Sequence, residues 1–252
     1  MIAGASSVPC LTAAVIDAYR PRFARLESVR YGISTAQRGA QGLATAAAVL
    51  GYVGKPFAAL HDGELARVFG WQDLHAMRYP ELGLRLFGNC DVPDLALFPA
   101  RYPELHELAF AAGHEVKLLH LGTWALSWAV RIGLIRSLGP HAPMLLRLSR
   151  GFDRLGTGKS GFHMILSGAG AAGERRQVRF FLIARSNHGP NIPCVPAIVL
   201  AKRLALGGAA PPGARPCLDL IDLPAFLEAL SGLDIATYVE GPDIGPASAQ
   251  PG

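Results

Sequence analysis

Between Gly161 and Gly207 the chain alternates apolar run, small-residue turn, apolar run, proline loop and apolar run, an order that leaves few ways to fold. In GFHMILSG, Phe162, Met164 and Leu166 fall on one side, and His163, Ile165 and Ser167 on the other, because strand side chains alternate. In ERRQVRFFLIAR, Arg175, Gln177 and Arg179 alternate with Arg176, Val178 and Phe180. The run Phe180–Ile183 is apolar on both sides, so this strand enters a buried zone at its C-terminal end. The AGAAG link between the two runs predicts a hairpin. Next, Pro190, Pro193 and Pro196 fix φ at three points within seven residues and remove three backbone donors. That loop can continue neither strand nor helix. Pro196 suits the first turn of the helix AIVLAKRLAL, whose opening amides favour an anion. His188 and Asn191 are the polar side chains best placed to meet a ligand there. The plainer alternative makes Asn191 a turn cap and His188 a surface residue.

A chain of 252 residues allows one or two domains with a substantial core. The net charge of +5 is spread as single arginines, which favours anionic small molecules over nucleic acid. No aromatic-basic stripe suits single-stranded nucleic acid. Cys10, Cys90, Cys194 and Cys217 form no CxxC pair and no zinc-spaced cluster, so they read as reduced thiols of a cytoplasmic protein without a metal site. No charged segment precedes an apolar one at the start, so no signal peptide is expected.

Toward the N-terminus, a short apolar run and Ser6-Ser7-Val8-Pro9 precede the helical pattern LTAAVIDAYRPRF, with Ser7 as N-cap and Pro9 in the first turn. This looks like the tail of an α/β unit whose earlier strands are absent. Ser28–Ser34 is a strand, LATAAAVLGYVG a small-residue helix, and residues 55–79 two short strands around His61-Asp62-Gly63-Glu64. Asp91 and Asp94, three apart, suit either acid–base work or structural roles, Asp91 in a turn before Pro93 and Asp94 as a cap or turn, with the structural role favoured. LHELAFAAGHE is a further strand. Residues 118–138 are the most hydrophobic stretch, but His120, Ser127 and Arg131 interrupt it, so it reads as a buried or interface helix rather than a membrane span. Trp124 and Trp128 share a face that suits a partner subunit or a membrane surface. APMLLRLSRGFDRLG is an amphipathic helix with a basic face. Thr157-Gly158-Lys159-Ser160 lacks the upstream glycine of a phosphate loop and is set aside. Residues 206–216 form a linker, Cys217–Ile221 an extended piece, LPAFLEALSGL a last helix, and the tail from Glu240 is expected to be disordered.

Three segments, GASSVPCLTAAVID, CDVPDLALFPARYPEL and HGPNIPCVPAIVLAKRL, in this order and spacing, resemble the saccharopine dehydrogenase (saccharopine reductase-like) family, closest to its bacterial branch. The resemblance runs from residue 3 to about residue 237. It implies an α+β (α/β) fold, a mixed, largely antiparallel sheet flanked by helices, with a strand–helix remnant of a Rossmann domain at the N-terminus. The divisions expected are 1–27 for that remnant, 28–206 for a substrate and dimerisation domain, 207–239 for a linker and C-terminal helix, and 240–252 for the tail. The family uses NAD(P). Carried over, Ser6, Ser7 and Pro9 line the nicotinamide side of a cleft, and His188, Gly189 and Asn191 meet a small-molecule substrate from the other. True saccharopine-forming enzymes have Asp-Pro-Gly where this chain has Ser-Ser-Val-Pro, which argues against saccharopine itself. No GxGxxG follows a strand, so the chain is expected to be the substrate-binding, C-terminal portion of an NAD(P)-dependent oxidoreductase. On that reading it is a homodimer, inactive alone, and holds no cofactor tightly. Catalytic residues are not assigned, since the cofactor carries the hydride chemistry. The alternative is a non-catalytic module that dimerises, or associates with a membrane surface, through the Trp124/Trp128 helix.

Overall fold

The computed structural model describes residues 1–39, 42–208, 213–242 and 250–251. Strand β1 (Ile2–Ala3) leads through a helical turn, Ser7–Leu11, into α1 (Thr12–Tyr19). Then come β2 (Arg25–Thr35), α2 (Leu43–Tyr52), β3 (Pro56–His61), β4 (Glu64–Phe69), β5 (His75–Tyr79), β6 (Gly83–Asn89) and α3 (Asp94–Arg101). The middle holds β7 (Glu107–His114), α4 (Lys117–Arg131), α5 (Ala142–Arg150), β8 (Ser160–Ala169) and β9 (Arg175–Ala184). The chain closes with α6 (Val195–Ala205), β10 (Arg215–Pro216), α7 (Leu223–Glu228), β11 (Ile235–Glu240) and β12 (Gln250–Pro251).

The main sheet runs β12-β11-β9-β8-β2-β7. Beyond β7 it forks: β3 meets β7 at Leu60 opposite Leu108, and β6 meets it at Gly88 and Asn89 opposite Ala112 and Ala111. Strand β4 continues from β3, and β5 from β6. Among the described residues only the β2–β7 pair in this sheet is parallel, and its crossover holds α2, β3 to β6 and α3. The fold is therefore a mixed, mostly antiparallel sheet flanked, among the described residues, by seven helices, as the resemblance implied. Strands β1 and β10 pair in parallel as a separate two-stranded sheet.

The hairpin forms as its alternation predicts, from Ser160 opposite Ala184 to Ala169 opposite Arg175. Phe162, Met164, Leu166, Phe180 and Leu182 face the larger core, with Leu11 and Val15 of the N-terminal turn and α1, Phe98 of α3 and Phe226 of α7. Truncating a residue such as Phe180 to Ala costs about 3–5 kcal/mol at a site this closed. On the opposite side, Tyr79 and Phe87 of the β5–β6 hairpin cover Phe181 and Ile183. A third cluster, Val53, Trp71, Val130 and Leu138, with Leu50 and Leu145 packed on it, gathers α2, α4 and α5 into one helical layer.

Several elements depart from the sequence reading. Residues 55–79 hold three strands rather than two, and β6, α3 and β11 were not anticipated. Strand β11 pairs with β9 along its length, so the segment expected to be linker and helix also adds a strand to the main sheet. The helix expected over residues 118–138 stops at Arg131. There Gly133 takes φ 83°, and Ile132 N–H closes on the Trp128 carbonyl. Ser7 does not cap α1 from outside: it lies buried inside the turn, and the flanking Ser6 side chain makes no capping bond. Helix α7 has the cap its sequence needs, Asp222 accepting from Ala225 N–H at 2.9 Å. Of the tail, 243–249 and 252 lie outside the described residues, while Gln250–Pro251 pairs with β11.

Candidate functional site

Ser6 to Pro9 and His188 to Asn191 are far apart in the sequence, yet the turn Ser7–Leu11 packs against the 3-10 turn Gly189–Cys194 and against α6. The ladder of β9 places the second segment, since the chain leaves the sheet at Ala184 and folds back within a few residues. The three prolines then hold it as a turn rather than a strand. His188 is half-buried, and its Nδ1 accepts the backbone N–H of Asp234 at 2.7 Å, so the neutral ring carries its proton on Nε2. The His188 carbonyl accepts the Asn191 N–H at 3.0 Å. The Asn191 side chain is exposed. Gly189 passes so close to Ser160 Oγ that a Cβ would collide with it. On the opposing turn, Ser7 and Pro9 are buried and Ser6 is half-buried.

Beneath this contact lies a buried carboxylate. Asp94 opens α3 and shares its inward face with Leu95 and Phe98. Its Oδ2 is 2.6 Å from Thr12 Oγ1 and 3.0 Å from the Tyr31 hydroxyl, and Oδ1 has no partner among the described residues. Thr12 Oγ1 also lies 3.0 Å from the Pro9 carbonyl oxygen. A threonine hydroxyl has one proton for these two acceptors. Thr12 therefore donates either to the Asp94 carboxylate or to the Pro9 carbonyl, while Tyr31 donates to Asp94. Burial pushes the Asp94 carboxyl up to about 6, outweighing the two hydroxyl bonds that pull it down. The Tyr31 phenol is raised well above its usual range, first by burial and then by Asp94. Asp94 is fully shielded from solvent, so it ties the N-terminal turn to β2 and α3 rather than meeting a ligand.

The sequence weighed Asp94 as a turn or cap residue. The readable signal was its i,i+4 spacing to Phe98 on an apolar helix face. Asp91, its companion, is exposed. Thr157 of the discounted TGKS stretch turns its hydroxyl to Glu115 at 2.6 Å. Two open hollows, of about 370 and 330 Å³, lie away from this edge, one between β2 and the β8–β9 hairpin, the other between Gln37–Gly39, Gly42 and α5. All four cysteines are free thiols.

No protein-family profile and no curated protein sequence matches the chain. Among solved structures it is similar to the apo saccharopine dehydrogenase (L-Glu forming) from Saccharomyces cerevisiae, with a TM-score of 0.55 and 10% identity. The likeness covers 92% of this chain and 71% of the yeast one. The chain has a saccharopine dehydrogenase-like fold. At this identity the likeness is one of architecture, and no residue role passes across with it.

Proposed function

We propose that this chain is the substrate-binding, C-terminal portion of a saccharopine dehydrogenase-like NAD(P)-dependent oxidoreductase of the bacterial branch, and that it does not turn over substrate alone. The observation carrying this reading is the meeting of Ser7–Leu11 with Gly189–Cys194 at one edge of a dehydrogenase-like fold. Exposed Asn191 and half-buried His188 and Ser6 border that edge and offer polar groups to a small molecule.

The described residues do not by themselves fit a dinucleotide. Strand β1 has two residues and pairs only with β10, no Gly-rich turn follows it, and Ser7 and Pro9 turn inward. Within this reading Ser6 is the residue left to touch a nicotinamide. The 252-residue chain therefore binds NADH and NADPH only weakly. Fluorescence titration tests this directly, and submillimolar affinity for either nucleotide would defeat the proposal.

A further inference from the structure

Helix α4 carries apolar side chains on its outer face as well as on its inner one. His120 and Ser127 face the protein interior, while Leu118, Leu121, Ala125, Trp128 and Ile132 are exposed at alternating steps of three and four residues. That spacing is one continuous stripe along the outer face. The stripe runs on into the turn after the helix, where Leu134 is 76% exposed, and Met144 and Leu148 of α5 add to the apolar surface of the same helical layer. An amphipathic helix that served only its own core would turn these side chains the other way.

The charges around the stripe identify what covers it. Residues 116–152 contain no Asp or Glu but include Lys117, Arg131, Arg136, Arg147 and Arg150, as many positive charges as the net +5 of the whole chain. A second copy docked face to face would set these cations against their own kind, and residues 116–152 supply no acid to answer them. An anionic lipid surface supplies the missing charge and takes up the apolar side chains together. Trp128 stands beside Arg131, whose guanidinium lies 4.9 Å from its ring, an amphipathic pair suited to the headgroup level. Among the described residues no helix is long and apolar enough to cross a membrane.

We propose that α4 and the turn following it dock this protein flat on an anionic bilayer surface, with α5 contributing basic residues at the rim. This is independent of any cofactor or substrate. The test is co-sedimentation of the 252-residue chain with vesicles of phosphatidylcholine alone and of phosphatidylcholine mixed with phosphatidylglycerol, at low and high salt. Binding is expected only to the mixed vesicles and is weakened by salt. The double variants Leu118→Asp/Ile132→Asp and Arg147→Glu/Arg150→Glu should each lower partitioning by about tenfold or more. All four positions are exposed, so circular dichroism should show both variants folded. Equal binding to both vesicle types, no binding to either, or unchanged binding by both variants overturns the proposal. So does a dimer in light scattering that dissociates with Leu118→Asp/Ile132→Asp, because the occupant is then a second copy.

Discussion

Thr12 Oγ1 sits 2.6 Å from Asp94 Oδ2, a bond between the first residue of α1 and the first residue of α3, both fully buried. Because the Asp94 carboxyl is raised from 3.8 to about 6, the folded protein holds its proton more tightly than the unfolded chain does. The stability linked to it is fully present below pH 3.8 and is lost as pH rises through about 6, by about 3 kcal/mol in all. Asp94→Asn keeps the shape and removes the titration. Urea unfolding should therefore show wild type losing ground to the variant between pH 4 and pH 8. A stability difference independent of pH would mean that Asp94 is ionised throughout.

The buried histidines pull the other way and prevail. Burial lowers His163 to about 3, and His114 and His120 to about 4 each. His163 lies beneath Tyr79, whose hydroxyl is 2.6 Å from its Nδ1, while His114 stacks on Trp71. These rings stay neutral when folded, so their stability is present above the unfolded value of 6.5 and is lost as pH falls toward 4 and 3. Near pH 5 unfolding takes up about three protons on these rings and releases about one from Asp94. The net of about two gives a slope of about 3 kcal/mol per pH unit. Unfolding free energies measured at pH 6 and pH 5 should fall accordingly. A rise over that interval would show that the rings are not sealed from water.

Gly32 of β2 lies in a tight space between its neighbours β7 and β8, under the Phe87 ring of the β5–β6 hairpin. A Cβ there would meet the Ala111 carbonyl oxygen and His163 Cε1 at 2.7 Å each, with the Phe87 ring next. Backbone cannot yield as a flexible side chain can, so Gly32→Ala should cost about 1–3 kcal/mol in a denaturation midpoint. An unchanged midpoint would mean that β7 and the His163 ring shift freely to admit the methyl group.

Reading the elements from sequence worked where one pattern decided the matter and failed where a distant partner did. The β8–β9 hairpin was legible because Phe162, Met164 and Leu166 alternate cleanly. Strand β6 was not, because Arg85 stands at a buried position of GLRLFGN. Glu115, which pairs with Arg85 across 3.2 Å inside the protein, lies in a separate segment after β7. Asp94 has the same character: its partners Thr12 and Tyr31 are 82 and 63 residues away, and no local spacing announces them. The two candidate loops could be named from their composition, but their contact depends on how β9 and α1 are laid against one sheet.

The His188–Asn191 turn holds a half-buried histidine bonded to Asp234 beside an asparagine exposed to solvent. His188 accepts the Asp234 N–H, so His188→Ala should lower stability by about 1 kcal/mol through a lost bond between the β9 turn and the start of β11. Asn191 points into solvent, and Asn191→Ala should leave the unfolding midpoint within about 0.5 kcal/mol of wild type. In an assembled oxidoreductase the order reverses, and Asn191→Ala should reduce turnover although the protein remains fully folded. Thermal melts of both variants, read beside steady-state kinetics, distinguish the two roles. If Asn191→Ala unfolds the chain, the turn is architecture and its part in substrate binding is withdrawn.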